Sequence, residues 1–184
     1  MQRWSWPGTV IGLGILCINL PGVQAILATL GYVLSPDRRR LLMIRRDTRP
    51  DDVHFGYHNG LGGKVEPDED VVSGMRREIR EEAGIECEAL ELAGTISWPG
   101  FGRGGEHWFG FLFRVPEWTG EPLEGNDEGT LVWRELDDVL AGRVPMWESD
   151  RHFLPLVFAE RPRVFHGVMP FAQGRALSWS YTEL

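Results

Sequence analysis

The stretch Gly63-Lys64-Val65-Glu66-Pro67-Asp68-Glu69, followed after seven residues by Arg77-Glu78-Ile79-Arg80-Glu81-Glu82-Ala83-Gly84-Ile85, governs how the rest of the chain is read. Asp68 to Asp70 supply N-capping side chains, the residues up to Ala83 have helical spacing, and Gly84 is a C-terminal stop. Residues three and four apart share a helix face, so Glu78, Glu81 and Glu82 gather carboxylates on one side of that helix. Like charges this close repel, and hard oxygen donors at this density suit Mg²⁺, which combines a few carboxylates with substrate phosphates and water. Gly62 and Gly63 precede the helix, where backbone without side chains approaches a metal or a phosphate closely. Glu69 lies eight residues before Arg77 across the loop-to-helix junction, an offset that fits an ion pair fixing the loop on the helix. A solvated acidic helix face accounts for Glu81-Glu82 alone. It does not account for the glycine loop, Arg77 and Gly84 at the same fixed offsets.

Outward from this segment, Ile26 to Leu34 reads as an apolar strand, Ser35-Pro36-Asp37 as a turn and Leu41 to Ile44 as the returning strand of a hairpin. Asp47 to Asn59 is polar, contains Pro50 and reads as a loop reaching toward the site. Strands are expected at Leu90 to Trp98, His107 to Val115 and Thr130 to Arg134, with an acidic turn-rich segment up to Gly129. Leu136 to Leu140 and Arg151 to Phe158 read as short helices. Val164 to Phe171 and Ala176 to Thr182 read as a closing hairpin turned at Gln173-Gly174. Mixed strands with a few intervening helices predict an α/β (α+β) sandwich, a mixed sheet flanked by helices.

The 184 residues suffice for one domain with a sizeable core, and 42% hydrophobic with 25% charged residues is ordinary globular composition. A net charge of −8 speaks against binding long nucleic acid through a phosphate-neutralising surface. An acidic protein acting on an anionic substrate needs counter-charge, and metal cations are its natural source. Lys64 is the only lysine, and it stands in the glycine loop. Cys17 and Cys87 have neither metal-ligand spacing nor the number of a disulfide framework, which fits a reducing, cytoplasmic setting. The five histidines show no ligand spacing and read as structural. Residues 1–25 form an N-terminal apolar extension: Val10 to Leu20 follows Arg3 and ends near Val23-Gln24-Ala25, in the manner of a signal peptide, a mis-called start or a segment packed on the domain. It is too short and glycine-rich for a membrane span. Residues 26–184 form the catalytic domain, expected to act as a monomer without a membrane partner.

The quoted stretch resembles the Nudix box, G-x5-E-x7-R-E-U-x-E-E-x-G-U with U aliphatic, at every fixed position. From about Leu27 to the C-terminus the chain is similar to Nudix hydrolases of the MutT type and to the mammalian-type oxidised purine nucleoside triphosphatases. The resemblance implies a Nudix fold, Mg²⁺ as cofactor with Mn²⁺ as a substitute, and a small-molecule nucleotide substrate. It implies metal binding by Glu78, Glu81 and Glu82, with the carbonyl of Gly62 as a further ligand and Arg77 in the catalytic set. Glu128, five residues before Trp133, matches a glutamate that assists from the loop before a tryptophan-containing strand. On the substrate side the resemblance implies Thr29, Arg45, Asn59, Leu61, Gly62, Gly63, Lys64, Trp147 and Asp150. Asn59 matches an asparagine that hydrogen-bonds the base, Trp147 a stacking tryptophan and Asp150 an aspartate reading the base edge. Arg45 stands where the relative has lysine, and Ser149 where it has a second aspartate, so base recognition departs in detail. The expected reaction is hydrolysis of oxidised purine nucleoside triphosphates such as 8-oxo-dGTP to the monophosphate and pyrophosphate, which keeps the nucleotide pool clean. Rival readings are a Nudix hydrolase of ADP-ribose, where Pro99 falls near a proline of ADP-ribose hydrolases, of a dinucleoside polyphosphate or of capped RNA, a non-catalytic nucleotide sensor, and an isoprenoid diphosphate isomerase.

Overall fold

The computed structural model describes residues 24–184. The apolar run Val10 to Leu20 and Cys17 lie outside the described residues. The first strand, β1 (Ala25–Leu34), turns into β2 (Arg40–Arg45). The turn is held by Ser35, whose carbonyl accepts from Arg38 N (2.7 Å) and whose Oγ accepts from Arg40 N (2.9 Å). The expected hairpin is present, but only Val33↔Leu42 and Leu34↔Leu41 pair across it. Further down, that edge of β1 takes up the glycine loop, at Gly31↔Leu61 and Ala28↔Lys64. The polar stretch after β2 is a loop as far as Tyr57 and then adds a two-residue strand, β3 (His58–Asn59), to the β2 edge.

The helix α1 spans Val71–Ala83. Of the three capping candidates, Asp70 is the cap, accepting from Val72 N at 2.9 Å and Ser73 N at 3.0 Å. Gly84 closes the helix in the left-handed region, at φ 69. Met75, Ile79 and Ala83, four residues apart, are fully buried against the sheet. Each large side chain so buried stabilises the fold by about 1.5–3 kcal/mol.

Two long strands follow, β4 (Glu86–Trp98) and β5 (His107–Thr119). Both outrun their expected limits, because the polar residues Glu86 and Glu88 and the ring of Pro116 hide the alternation that the pairing of the two strands sustains. The acidic segment contains β6 (Gly125–Asn126), which forms a tight hairpin with β7 (Gly129–Glu135). The short helices α2 (Leu136–Leu140) and α3 (Asp150–Val157) come next. The closing hairpin is subdivided. Strand β8 (Phe165–Val168) pairs with β11 (Ser180–Glu183), while β9 (Phe171–Ala172) and β10 (Arg175–Ala176) form a separate ribbon around Gln173-Gly174.

The main sheet is mixed, in the order β11-β8-β4-β5-β1-β2-β7-β6 with β3 on β2, and its parallel pairs are β1 with β5 and β4 with β8. Both of its faces are buried, so the strands split their side chains between two cores by simple alternation. Val33, Leu42 and Ile44 face α1; Tyr32, Leu34, Leu41 and Met43 face α2 and α3. The result is the expected α/β sandwich with helices on both sides of a mixed sheet. Cys87 is a free thiol in the α1-side core, and burial pushes it up to about 11. Among the described residues no helix is long and apolar enough to cross a membrane.

Candidate active site

The glycine loop and α1 are joined by the ion pair that their spacing predicts. Arg77 donates from Nε and Nη2 to Glu69 (3.0 and 2.7 Å), from Nη1 to Glu78 (2.9 Å) and Glu81 (3.1 Å), and from Nη2 to the Lys64 carbonyl (3.1 Å). Arg77 is thus a hub tying two loop positions to two helix carboxylates, and these contacts hold its guanidinium well above its ordinary range. Glu82, one turn beyond Glu78, accepts the backbone N–H of Gly62 at 2.7 Å. The loop fits this closely only with glycines. A Cβ on Gly62, which sits at φ 139, would lie 2.3 Å from the Thr29 carbonyl oxygen, and one on Gly63 would lie 2.5 Å from Glu78 Oε1.

Glu128 occupies the turn of the β6–β7 hairpin, and Asn126 anchors it. The Asn126 side-chain oxygen accepts from Glu128 N (2.8 Å), and its amide donates to the Glu82 carbonyl at the end of α1 (3.1 Å). Glu81, Glu82 and Glu128 consequently line one open groove of about 380 Å³. Burial, with Glu128, Glu78 and Glu81 nearby, pushes the Glu82 carboxyl up to about 8 against the Gly62 N–H, and burial also raises Glu78. Among the described residues, three acidic, His or Cys side chains do not converge on a single point. Glu78 and Glu81 are instead drawn to Arg77, while Glu82 turns to Gly62. The donor chemistry nevertheless fits a divalent cation: hard carboxylates of one sign crowd a groove in which a single backbone N–H opposes the most buried of them.

On the other side of the loop after β2, His58 is the structural histidine that the sequence suggested, buried with both ring nitrogens hydrogen-bonded. Its backbone N–H and its Nδ1–H both reach the Pro145 carbonyl, 87 residues away, at 2.8 and 3.1 Å, while Nε2 accepts from Arg134 Nε at 3.0 Å. Burial lowers its pKa, which keeps the ring neutral in this donor-acceptor role. This clasp ties the start of β3, the strand that carries Asn59, to the segment just before Trp147. The Trp147 ring lies 5.0 Å from His54 and 5.5 Å, edge-on, from Tyr57. Asp150 opens α3 rather than preceding it, and Ser149 Oγ lies 3.3 Å from its carboxylate. Behind it Tyr32 is almost fully buried with an unpartnered hydroxyl, its phenol raised by burial and by the Asp150 charge.

Other expected substrate residues are placed differently. The Leu61 side chain is fully inside the α1-side core, leaving only its backbone beside the site. Thr29 is buried with its Oγ1 unpartnered, Arg45 is exposed with its Nε 3.7 Å from Asp47, and the Lys64 ammonium lies over the Trp108 ring at 5.4 Å. Sequence reasoning did not single out Asn126, Tyr32, Phe101 or Phe171. Only Asn126 carried a usable signal, an asparagine just before an acidic turn.

Burial raises the Asp150 carboxyl from 3.8 to about 7 against a weaker opposing hydrogen bond from Ser149. The folded protein therefore holds this proton more tightly than the unfolded chain. The stabilisation associated with it is complete below pH 4 and is lost as the pH rises to about 7, beyond which the dependence is flat. Glu78 and Glu82 contribute slopes of the same sign in the metal-free protein. Urea denaturation in EDTA should accordingly show unfolding free energy falling between pH 4 and 7, with a shallower fall in Asp150→Asn. Parallel pH profiles for the two proteins would show that Asp150 does not titrate in this window.

The sequence model of the NUDIX domain matches residues 26–157. The chain is 31% identical over 159 residues to an oxidized purine nucleoside triphosphate hydrolase of Mus musculus, covering 86% of this chain and 95% of that protein. To the protein of the same name in Danio rerio it is 32% identical over 135 residues, covering 73% and 81%. Among solved structures, a MutT protein from Bacillus halodurans superimposes with a TM-score of 0.71 at 27% identity, covering 85% of this chain and 97% of that one. With the box intact, its carboxylates gathered on one helix and the fold shared, the chain belongs to the NUDIX domain family of hydrolases.

Proposed function

We propose that this chain is a Mg²⁺-dependent hydrolase of oxidised purine nucleoside triphosphates such as 8-oxo-dGTP, releasing the monophosphate and pyrophosphate in nucleotide-pool sanitation. The observation that supports this most is the packing of Trp147 against His54 and Tyr57, beside the His58–Pro145 clasp, on the same molecule whose Glu81, Glu82 and Glu128 line one groove. The names of the vertebrate relatives point the same way. Glu78, Glu81 and Glu82, with the Gly62 carbonyl and Glu128, would hold Mg²⁺ or Mn²⁺, which when bound polarises phosphoryl oxygens and acidifies water. Arg77 orients Glu78 and Glu81 and keeps the loop against the helix. A carboxylate of the groove takes the proton of the attacking water, whose oxygen forms the new bond to the α- or β-phosphorus as the P–O bond to the departing pyrophosphate or nucleoside monophosphate breaks.

Base choice falls to Asp150. As an acceptor it pairs with the N1–H and N2–H₂ edge of a guanine-type base, whereas an adenine-type base presents an acceptor at N1 and leaves the carboxylate poorly paired. Stacking on Trp147, about 1–3 kcal/mol, is similar for all purines and does not discriminate. The unmodified enzyme should therefore show a higher kcat/KM for 8-oxo-dGTP than for 2-oxo-dATP. Because the Asp150 carboxyl titrates near 7, that preference should widen as the pH rises through neutrality. Asp150→Asn should narrow it, while Trp147→Ala should lower activity on both substrates alike. Equal kcat/KM for the two substrates across the pH range sinks this reading of Asp150, and inactivity toward both while ADP-ribose or Ap4A is cleaved sinks the substrate class.

A further inference from the structure

The cavities beside the site share residues in sequence. The carboxylate groove meets a small cleft at Glu128, and the cleft continues through Arg46 and Arg49 into a cavity of about 260 Å³. That cavity connects through Arg103 with an aromatic pocket of about 500 Å³ walled by His54, Phe101, Trp147 and Phe171. The carboxylates and the aromatic pocket are thus the two ends of one furrow, and three arginines from two separate loops lie between them. Asp52 already neutralises Arg46, through contacts of 2.9 and 2.5 Å, and the Glu128 carboxylate lies 3.6 Å from the same guanidinium. Asp51 also lines this stretch. Arg49 and Arg103 form no side-chain hydrogen bond or ion pair among the described residues, although the chain as a whole carries a charge of −8. Arg45 and Lys64, the basic residues expected to meet substrate, line neither the cleft nor the cavity.

We propose that Arg46, Arg49 and Arg103 are the polyphosphate-binding segment of this furrow, with Arg49 and Arg103 supplying the uncompensated charge. The inference rests on the reading above of the carboxylates as the reacting end and Trp147 as the base end. A nucleoside seated at Trp147 then sends its phosphates past Arg103 and Arg49 to the groove at Glu128 and Glu82. Planar guanidinium forks suit phosphate oxygens, and arginine keeps its charge at any working pH.

Inorganic tripolyphosphate isolates this segment, because it has no base and can be titrated calorimetrically in EDTA without metal. Arg49→Ala/Arg103→Ala should weaken its binding about ten to a hundredfold. The same variant should raise KM for the nucleotide by a similar factor while kcat stays within about threefold. Arg49→Lys/Arg103→Lys should recover part of the affinity. Arg39→Ala/Arg161→Ala, which removes the same charge from exposed positions elsewhere, should bind tripolyphosphate as the unmodified protein does. Unchanged binding in the Arg49/Arg103 variant, equal weakening in the Arg39/Arg161 control, or a fall in kcat at constant KM overturns the proposal. Because the probe lacks a base, selective weakening supports the proposal even if no oxidised purine triphosphate is hydrolysed.

Discussion

Glu82→Gln should reduce kcat by at least about 100-fold while leaving the protein folded. The substitution keeps the shape of the side chain and its capacity to accept the Gly62 N–H, but removes the charge. Loss of an outer partner of a metal ligand already costs roughly 10 to 100-fold, so loss of a ligand itself should cost no less. Glu82 is the most informative of the three helix glutamates because its backbone partner is at 2.7 Å and Arg77 does not touch it. Single-turnover rates in saturating Mg²⁺, alongside a thermal melt to verify folding, provide the measurement. Near-normal turnover would remove Glu82 from the metal centre. Glu81→Gln should be similarly impaired, although Glu81 is the more exposed residue and is held by Arg77.

The second large effect is structural in origin. Arg77→Ala leaves Glu69 and Glu78 without their counter-ion, although their side chains are only 13% and 14% exposed. Removing one partner of a fully buried pair costs about 3–5 kcal/mol. Arg77 itself is 23% exposed, so solvent screening brings the expected loss well below that of a fully buried pair. Urea denaturation in EDTA should show this loss, and added Mg²⁺ should reduce it, because a cation bound by the same carboxylates offsets part of their repulsion. Activity should fall too, because the loop is no longer fastened to the helix. An Arg77→Ala protein as stable as the parent in EDTA would show that the Glu69 and Glu78 contacts contribute little. Arg77→Lys should fall between the two, since an ammonium cannot span Glu69, Glu78 and the Lys64 carbonyl together.

How far the sequence could be read depended on whether a feature was local. Asp70 and Gly84 bound α1 where capping chemistry demands, and the Glu69–Arg77 pair follows from an offset of eight residues. The β1–β2 turn was equally readable, because Ser35-Pro36-Asp37 closes on itself. The parallel pairing of β1 with β5 has no such signature, since Ala25↔His107 joins strands separated by β2, β3, α1 and β4. The same holds for His58: nothing in its neighbours announces a bond to Pro145. Asp150 could be located from sequence, but its carboxyl titrating near neutrality comes from its burial, which only the packed α3 reveals. Arg49 and Arg103 looked like ordinary loop charges until two loops were seen to face one cavity.

The seam between β1 and the glycine loop has a kinetic meaning. Gly31 and Leu61 exchange reciprocal backbone hydrogen bonds of 2.6 and 2.9 Å, Thr29 N donates to the Gly63 carbonyl at 2.8 Å, and Val65 N donates to the Leu27 carbonyl at 3.0 Å. A loop stitched this way to a central strand cannot open without unravelling the sheet, so its amides should exchange with solvent deuterium as slowly as those of β1 itself. The backbone of this loop is then rigid before any ligand arrives, and its ordering entropy has already been met in folding. Conformational adjustment during turnover is left to the loops that carry Arg49, Arg103 and Glu128, whose amides should exchange orders of magnitude faster and slow down when polyphosphate binds.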